Sequence, residues 1–69
     1  MSEAATKLAR FHRIALENLA KSEHPFHPAP SVSRAFEAME RAGLVRYQAE
    51  YPAGYWITDA GRAALEAAQ

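Results

Sequence analysis

The sequence predicts a mainly α domain with one small β-hairpin, in the order helix, loop, helix, hairpin, helix. Three observations carry this. Residues 3–21 and 31–42 contain neither proline nor glycine and repeat their apolar residues at helical spacing. After Gly43 the spacing changes to two, as a half-buried strand requires. Pro52-Ala53-Gly54 then reverses the chain, so that the alternating stretch divides into two antiparallel strands.

In the first helix, read over 3–21, Leu8, Phe11, Ala15, Leu16 and Leu19 share one broad face, and Arg10, Arg13, Glu17 and Lys21 share the other. Arg13/Glu17 and Glu17/Lys21 are spaced for weak surface support. His12 falls inside the apolar arc and reads as a partly buried structural histidine. Residues 22–30 hold Pro25, Pro28 and Pro30, which remove amide donors and push the preceding residues toward extended backbone. They form a loop, and Phe26, its only large apolar residue, plugs it onto the core.

The second helix spans 31–42, with Val32, Ala35, Phe36 and Met39 as its buried stripe. Either Pro30 occupies its first turn or Ser31 caps it; the residues alone allow both. Gly43 closes it, because glycine takes the left-handed conformation without strain. Val45, Tyr47, Ala49 and Tyr51 then alternate with Arg46, Gln48 and Glu50 as the first strand, and Tyr55-Trp56-Ile57 is the return strand after a three- or four-residue loop. Thr58 suits the N-cap of a last helix, with Asp59 in its first turn and Leu65 as its apolar anchor.

Sixty-nine residues make one small domain, read as 1–69, whose core is close to the lower limit for folding alone. There is no cysteine, which excludes a disulfide framework and thiolate metal sites and fits a reducing cytoplasm. Eight basic residues balance eight acidic ones, so binding to nucleic acid needs a local patch rather than a general field. No stretch has the run of about 18 apolar residues that a membrane span needs, and the first residues lack the basic and apolar pattern of an export signal.

The stretch 33–45, Ser-Arg-Ala-Phe-Glu-Ala-Met-Glu-Arg-Ala-Gly-Leu-Val, followed by Ile57-Thr58-Asp59-Ala60-Gly61 and its continuation to Leu65, resembles winged-helix regulators of the MarR and PadR type. In those families a recognition helix ends in Gly-Leu-Val, a hairpin forms the wing, and a Thr-x-x-Gly motif opens the next helix. The likeness covers about half of the chain and implies a DNA-binding transcriptional regulator. Because a single neutral domain binds DNA feebly, a dimer is expected, with the first or the last helix supplying its contact. One departure stands out. The helix that normally precedes the recognition helix is replaced by the proline-rich loop 22–30.

On this resemblance the DNA contacts are Ser31, Ser33, Arg34, Glu37, Ala38 and Arg41, with Arg34 the leading candidate for a guanine edge or a phosphate. Arg46 and Gln48 on the first wing strand are candidates for backbone phosphates. The rival expectation is a protein-interaction module without DNA binding, an adaptor or inhibitor that docks through Tyr47, Tyr51, Tyr55 and Trp56. Strand alternation turns two of those four inward. Glu23, His24 and His27 fall short of the four ligands of a structural zinc site. With no cysteine nucleophile, phosphate-cradling glycine loop or serine elbow, the sequence predicts no enzyme, and no cofactor or metal.

Overall fold

The computed structural model describes residues 10–68. Helix α1 (Arg10–Lys21) leads into the proline-rich loop, a single 3-10 turn (Pro30–Val32) and helix α2 (Ser33–Arg41). Strands β1 (Val45–Gln48) and β2 (Gly54–Ile57) form an antiparallel hairpin, and helix α3 (Asp59–Ala67) follows. The expected order of three helices and one hairpin is therefore present. The part of the first helix expected over 3–9, Leu8 included, lies outside the described residues.

The core is a single cluster of Ala15, Leu16 and Leu19 from α1, Phe36 and Met39 from α2, Val45 from β1 and Leu65 from α3. Phe36, Leu16, Met39 and Val45 are the largest fully buried side chains. The helical stripes expected for α1 and α2 thus do contribute to one shared core, with one correction. Phe11 keeps 42% of its surface exposed, because it lies with Ile14 and Asn18 on the flank of α1 beside the buried stripe of Ala15, Leu16 and Leu19. Ile14 beside it is 45% exposed.

The segment 31–42 is not one α-helix from its start. Pro30 fills the first position of the 3-10 turn, as one of the two expected readings had it, and Ser31 makes no cap. Ser33 Oγ donates to the Pro30 carbonyl at 3.0 Å and ties the turn to α2. At the other end Gly43 takes a φ of 81°, as its role in closing the helix requires. The Leu44 N–H donates to the Met39 carbonyl and the Gly43 N–H to that of Glu40, both at 2.9 Å. Leu44 then packs back onto the core.

The two halves of the sequence motif meet at this turn. Thr58 caps α3 by accepting from the Gly61 N–H at 2.9 Å, and its own hydroxyl donates to the Gly43 carbonyl at 2.6 Å. The Thr58 N–H donates to the Leu44 carbonyl at 3.1 Å. Gly61 is buried against the same turn. A Cβ there would overlap the Leu44 carbonyl oxygen and lie 2.8 Å from Ile57 Cγ1. The exit of α2 and the entry of α3 are therefore held together by two hydrogen bonds and a contact only glycine permits.

The hairpin is shorter than the alternation predicts. β1 ends at Gln48 rather than Tyr51, β2 begins at Gly54 rather than Tyr55, and the five residues 49–53 form the loop. The physical reason is the Gln48 side chain. Its amide donates to the Pro52 carbonyl at 2.6 Å and the Glu50 carbonyl at 3.2 Å, and so closes the loop where further ladder bonds would have formed. The register pairs Val45 with Ile57, Arg46 with Trp56, Tyr47 with Tyr55 and Gln48 with Gly54.

Phe26 does more than plug the loop. It exchanges both backbone hydrogen bonds with Tyr55, at 2.9 and 3.0 Å, and adds a one-residue rung to the outer edge of β2. Its ring stacks on Phe36 at 5.2 Å while remaining 42% exposed. Gly54 makes room for this rung, since a Cβ there would lie 2.7 Å from Pro25 Cβ.

Candidate functional site

Two surfaces carry the expected site residues, the outward face of α2 and the hairpin. On α2, Arg34, Glu37, Ala38, Glu40 and Arg41 are exposed. Arg34, Ala38 and Arg41 follow one another at helical spacing and form one stripe, the Cα atoms of the two arginines about 10 Å apart along the axis. Ser31 is exposed on the 3-10 turn, whereas Ser33 is half-buried and its hydroxyl is already bonded to Pro30.

Burial pushes the Tyr55 phenol above its ordinary pKa, and the nearby carboxylates of Glu40 and Glu37 push it further in the same direction, with a smaller contribution from Tyr47. Glu37 is exposed, three residues after Arg34 and four before Arg41, so helical spacing sets it beside both guanidinium-bearing residues.

On the hairpin, the four aromatic residues separate into three environments. Tyr55 and Tyr47 share the core-facing side, where their rings meet at 5.2 Å and continue the stack from Phe26 through Phe36. Tyr47 at the edge of that stack is still 50% exposed. Trp56 is on the opposite side, half-buried, and its indole N–H donates to Gln48 Oε1 at 3.1 Å. Tyr51, in the loop, is 96% exposed. Two of the four do face the core side, but Tyr47 only partly.

These geometries sort the strand candidates. Arg46, opposite Trp56, is exposed and its charge is open to a ligand. Gln48 is not open in that sense: its oxygen accepts from Trp56 and its nitrogen serves two loop carbonyls, so an anion would have to displace internal bonds. Its role is structural, and no feature of the linear sequence distinguishes it from an exposed strand glutamine.

His24 and His27 are exposed in the loop, and among the described residues no three His, Asp or Glu side chains are grouped so as to hold a metal ion. No described helix is long and apolar enough to cross a membrane. His12 is half-buried and meets the Phe11 ring edge-on at 6.1 Å. One feature has no counterpart in the expected sites: a groove of about 260 Å³ between α1 and the loop, walled by Phe11, Ile14, Phe26 and Val32.

Comparison with protein-family models, with curated proteins and with solved structures gives no match. The functional reading therefore rests on the geometry of the two surfaces.

Proposed function

We propose that this chain is a winged-helix module that binds duplex DNA through α2 and serves as a transcriptional regulator. The observation that carries the reading is the exposure of Arg34, Ala38 and Arg41 at helical spacing on α2. Glu37 neighbours both arginines, so contact with DNA relies on the reach of the two guanidinium groups past it. An α-helix fits the major groove, where arginine pairs with guanine edges or with phosphates. The latch between Gly43 and Thr58 ties the end of α2 to the start of α3, and Arg46, exposed on the outer face of β1, is the wing's candidate phosphate contact. The single 3-10 turn ahead of α2 replaces a positioning helix, so the backbone grip is small and affinity depends steeply on the few arginines present.

Binding to mixed-sequence duplex, titrated with salt, tests this. The logarithm of affinity falls with the logarithm of salt, and Arg34→Ala and Arg41→Ala each lower the slope by about one phosphate contact if they touch the backbone. Absence of association even at low salt refutes the reading.

A second reading, a protein-docking module, has its own observation in the hairpin. Tyr51 is almost fully exposed and Tyr47 half exposed, more aromatic surface than a short loop needs. On this reading Tyr51→Ala abolishes co-purification with a protein partner and leaves the melting temperature unchanged, since Tyr51 contributes nothing to the core.

A further inference from the structure

We propose that Glu37 sets the base preference of this chain, its carboxylate accepting from the N4 amine of a cytosine placed beside the guanines read by Arg34 and Arg41. The inference rests on the duplex-binding reading of α2 and adds to it which base pairs the helix selects. Phe36 and Met39 bury one side of α2. At about 100° per residue, the face turned away from them has Arg34 and Arg41 at its centre. Glu37 and Ala38 lie on its two flanks, about 50° to either side, and all four residues are exposed. A helix that lays this face on DNA therefore carries one carboxylate into the interface together with its two guanidinium groups.

Few neighbours suit that carboxylate. Phosphate oxygens repel it, and the guanine edge offers only the O6 and N7 acceptors. Thymine presents an acceptor and a methyl group, and the adenine amine has the N7 acceptor beside it. Cytosine presents an amine donor with no acceptor next to it in the major groove, and that donor pairs with a carboxylate. In a G·C pair the edge that takes a guanidinium and the edge that takes a carboxylate belong to partner bases, so a face of mixed Arg and Glu matches G·C steps. The spacing agrees. Along the helix axis Glu37 lies about 4.5 Å from Arg34 and about 6 Å from Arg41, one to two of the roughly 3.4 Å steps between base pairs. The same charge lowers affinity for other sequences, because a carboxylate set against an acceptor or a phosphate is desolvated without a partner.

The test selects bound sequences from duplexes with a randomised centre, using the wild-type chain, Glu37→Ala and Glu37→Gln, and then measures affinities for the selected duplexes and for a mixed-sequence duplex. The wild type retains sites with a fixed cytosine one or two positions from a fixed guanine, and exchanging that C·G pair for T·A weakens binding about five- to hundredfold. Glu37→Ala keeps the guanines, loses the preference at the cytosine position and binds the mixed duplex at least as tightly as the wild type. Glu37→Gln exchanges cytosine for adenine, whose N6 and N7 suit a carboxamide. Glu37 is exposed, so both variants keep the wild-type melting temperature. A wild-type chain that binds without base preference, or a Glu37→Ala chain that selects the same bases as the wild type, overturns this role and leaves the duplex-binding reading standing. Absence of binding by both chains refutes that reading, and this inference with it.

Discussion

At Gly61 a methyl group has nowhere to go, since it meets the backbone of Leu44 on one side and Ile57 on the other. Backbone cannot rotate away as a flexible side chain can, so α3 would have to lift from the Gly43–Leu44 turn. Gly61→Ala, which on helix propensity alone would stabilise an interior helical position by about 1 kcal/mol, is therefore expected to destabilise by about 1–3 kcal/mol in urea unfolding. Thr58→Ala removes both the cap and the bond to Gly43 and costs about 1–2 kcal/mol; Thr58→Ser, which keeps the hydroxyl, recovers most of it. Tyr55 gives a pH signature. Its phenol is held protonated by burial and by Glu40 and Glu37, so on raising the pH the unfolded chain loses this proton first. The contribution is complete below about pH 10 and is lost as the pH rises through the higher folded value. Thermal unfolding followed from pH 8 upward should show a steeper alkaline loss for the wild type than for Tyr55→Phe.

Among the elements, the hairpin depends on one side chain more than on its ladder. Gln48 joins the Trp56 indole to the loop carbonyls of Glu50 and Pro52, and a two-stranded ribbon this short has little else to hold its turn. Gln48→Ala is expected to cost about 1 kcal/mol, red-shift the Trp56 fluorescence and speed amide exchange in 49–53, with α1 and α3 unaffected. A variant whose fluorescence and exchange match the wild type would remove Gln48 from this role. The element order was readable because its signals are local. Helical spacing in α1 and α2, glycine at the close of α2 and Thr58 ahead of α3 each act within a few residues. The end of β1 was not readable, since Ala49 and Tyr51 continue the alternation and the reason for stopping is a bond from Gln48 to Pro52 across the loop. Gly54 reads as a turn residue in the sequence. It is a strand residue whose missing side chain admits Pro25 and Phe26, a meeting of segments far apart in the chain.

Across the whole molecule, one stack of rings, Phe26, Phe36, Tyr55 and Tyr47, runs from the loop through the core to the hairpin edge, and the latch joins α2 to α3 at the opposite end of α2. α2 is therefore held at both ends, which lets nine residues present a rigid face. The candidate site was legible in part. Arg34 and Arg41 fall on the outward stripe because helical spacing puts them there, and Ala38 with them. Gln48 is consumed inside the hairpin, which depends on how the loop 49–53 closes across it. The groove beside α1 was hidden for a related reason: the sequence marks Phe11 as apolar and has no means of showing that it falls on the flank of α1 beside the buried stripe.

The most direct test of DNA recognition through α2 is an amide NMR titration of the isotope-labelled chain with duplex DNA at low salt. The account predicts shift changes concentrated at Ser31, Arg34, Glu37, Ala38, Arg41 and Arg46, reversed by added salt. Amides that do not move, or changes confined to Tyr47, Tyr51 and Trp56, would contradict it.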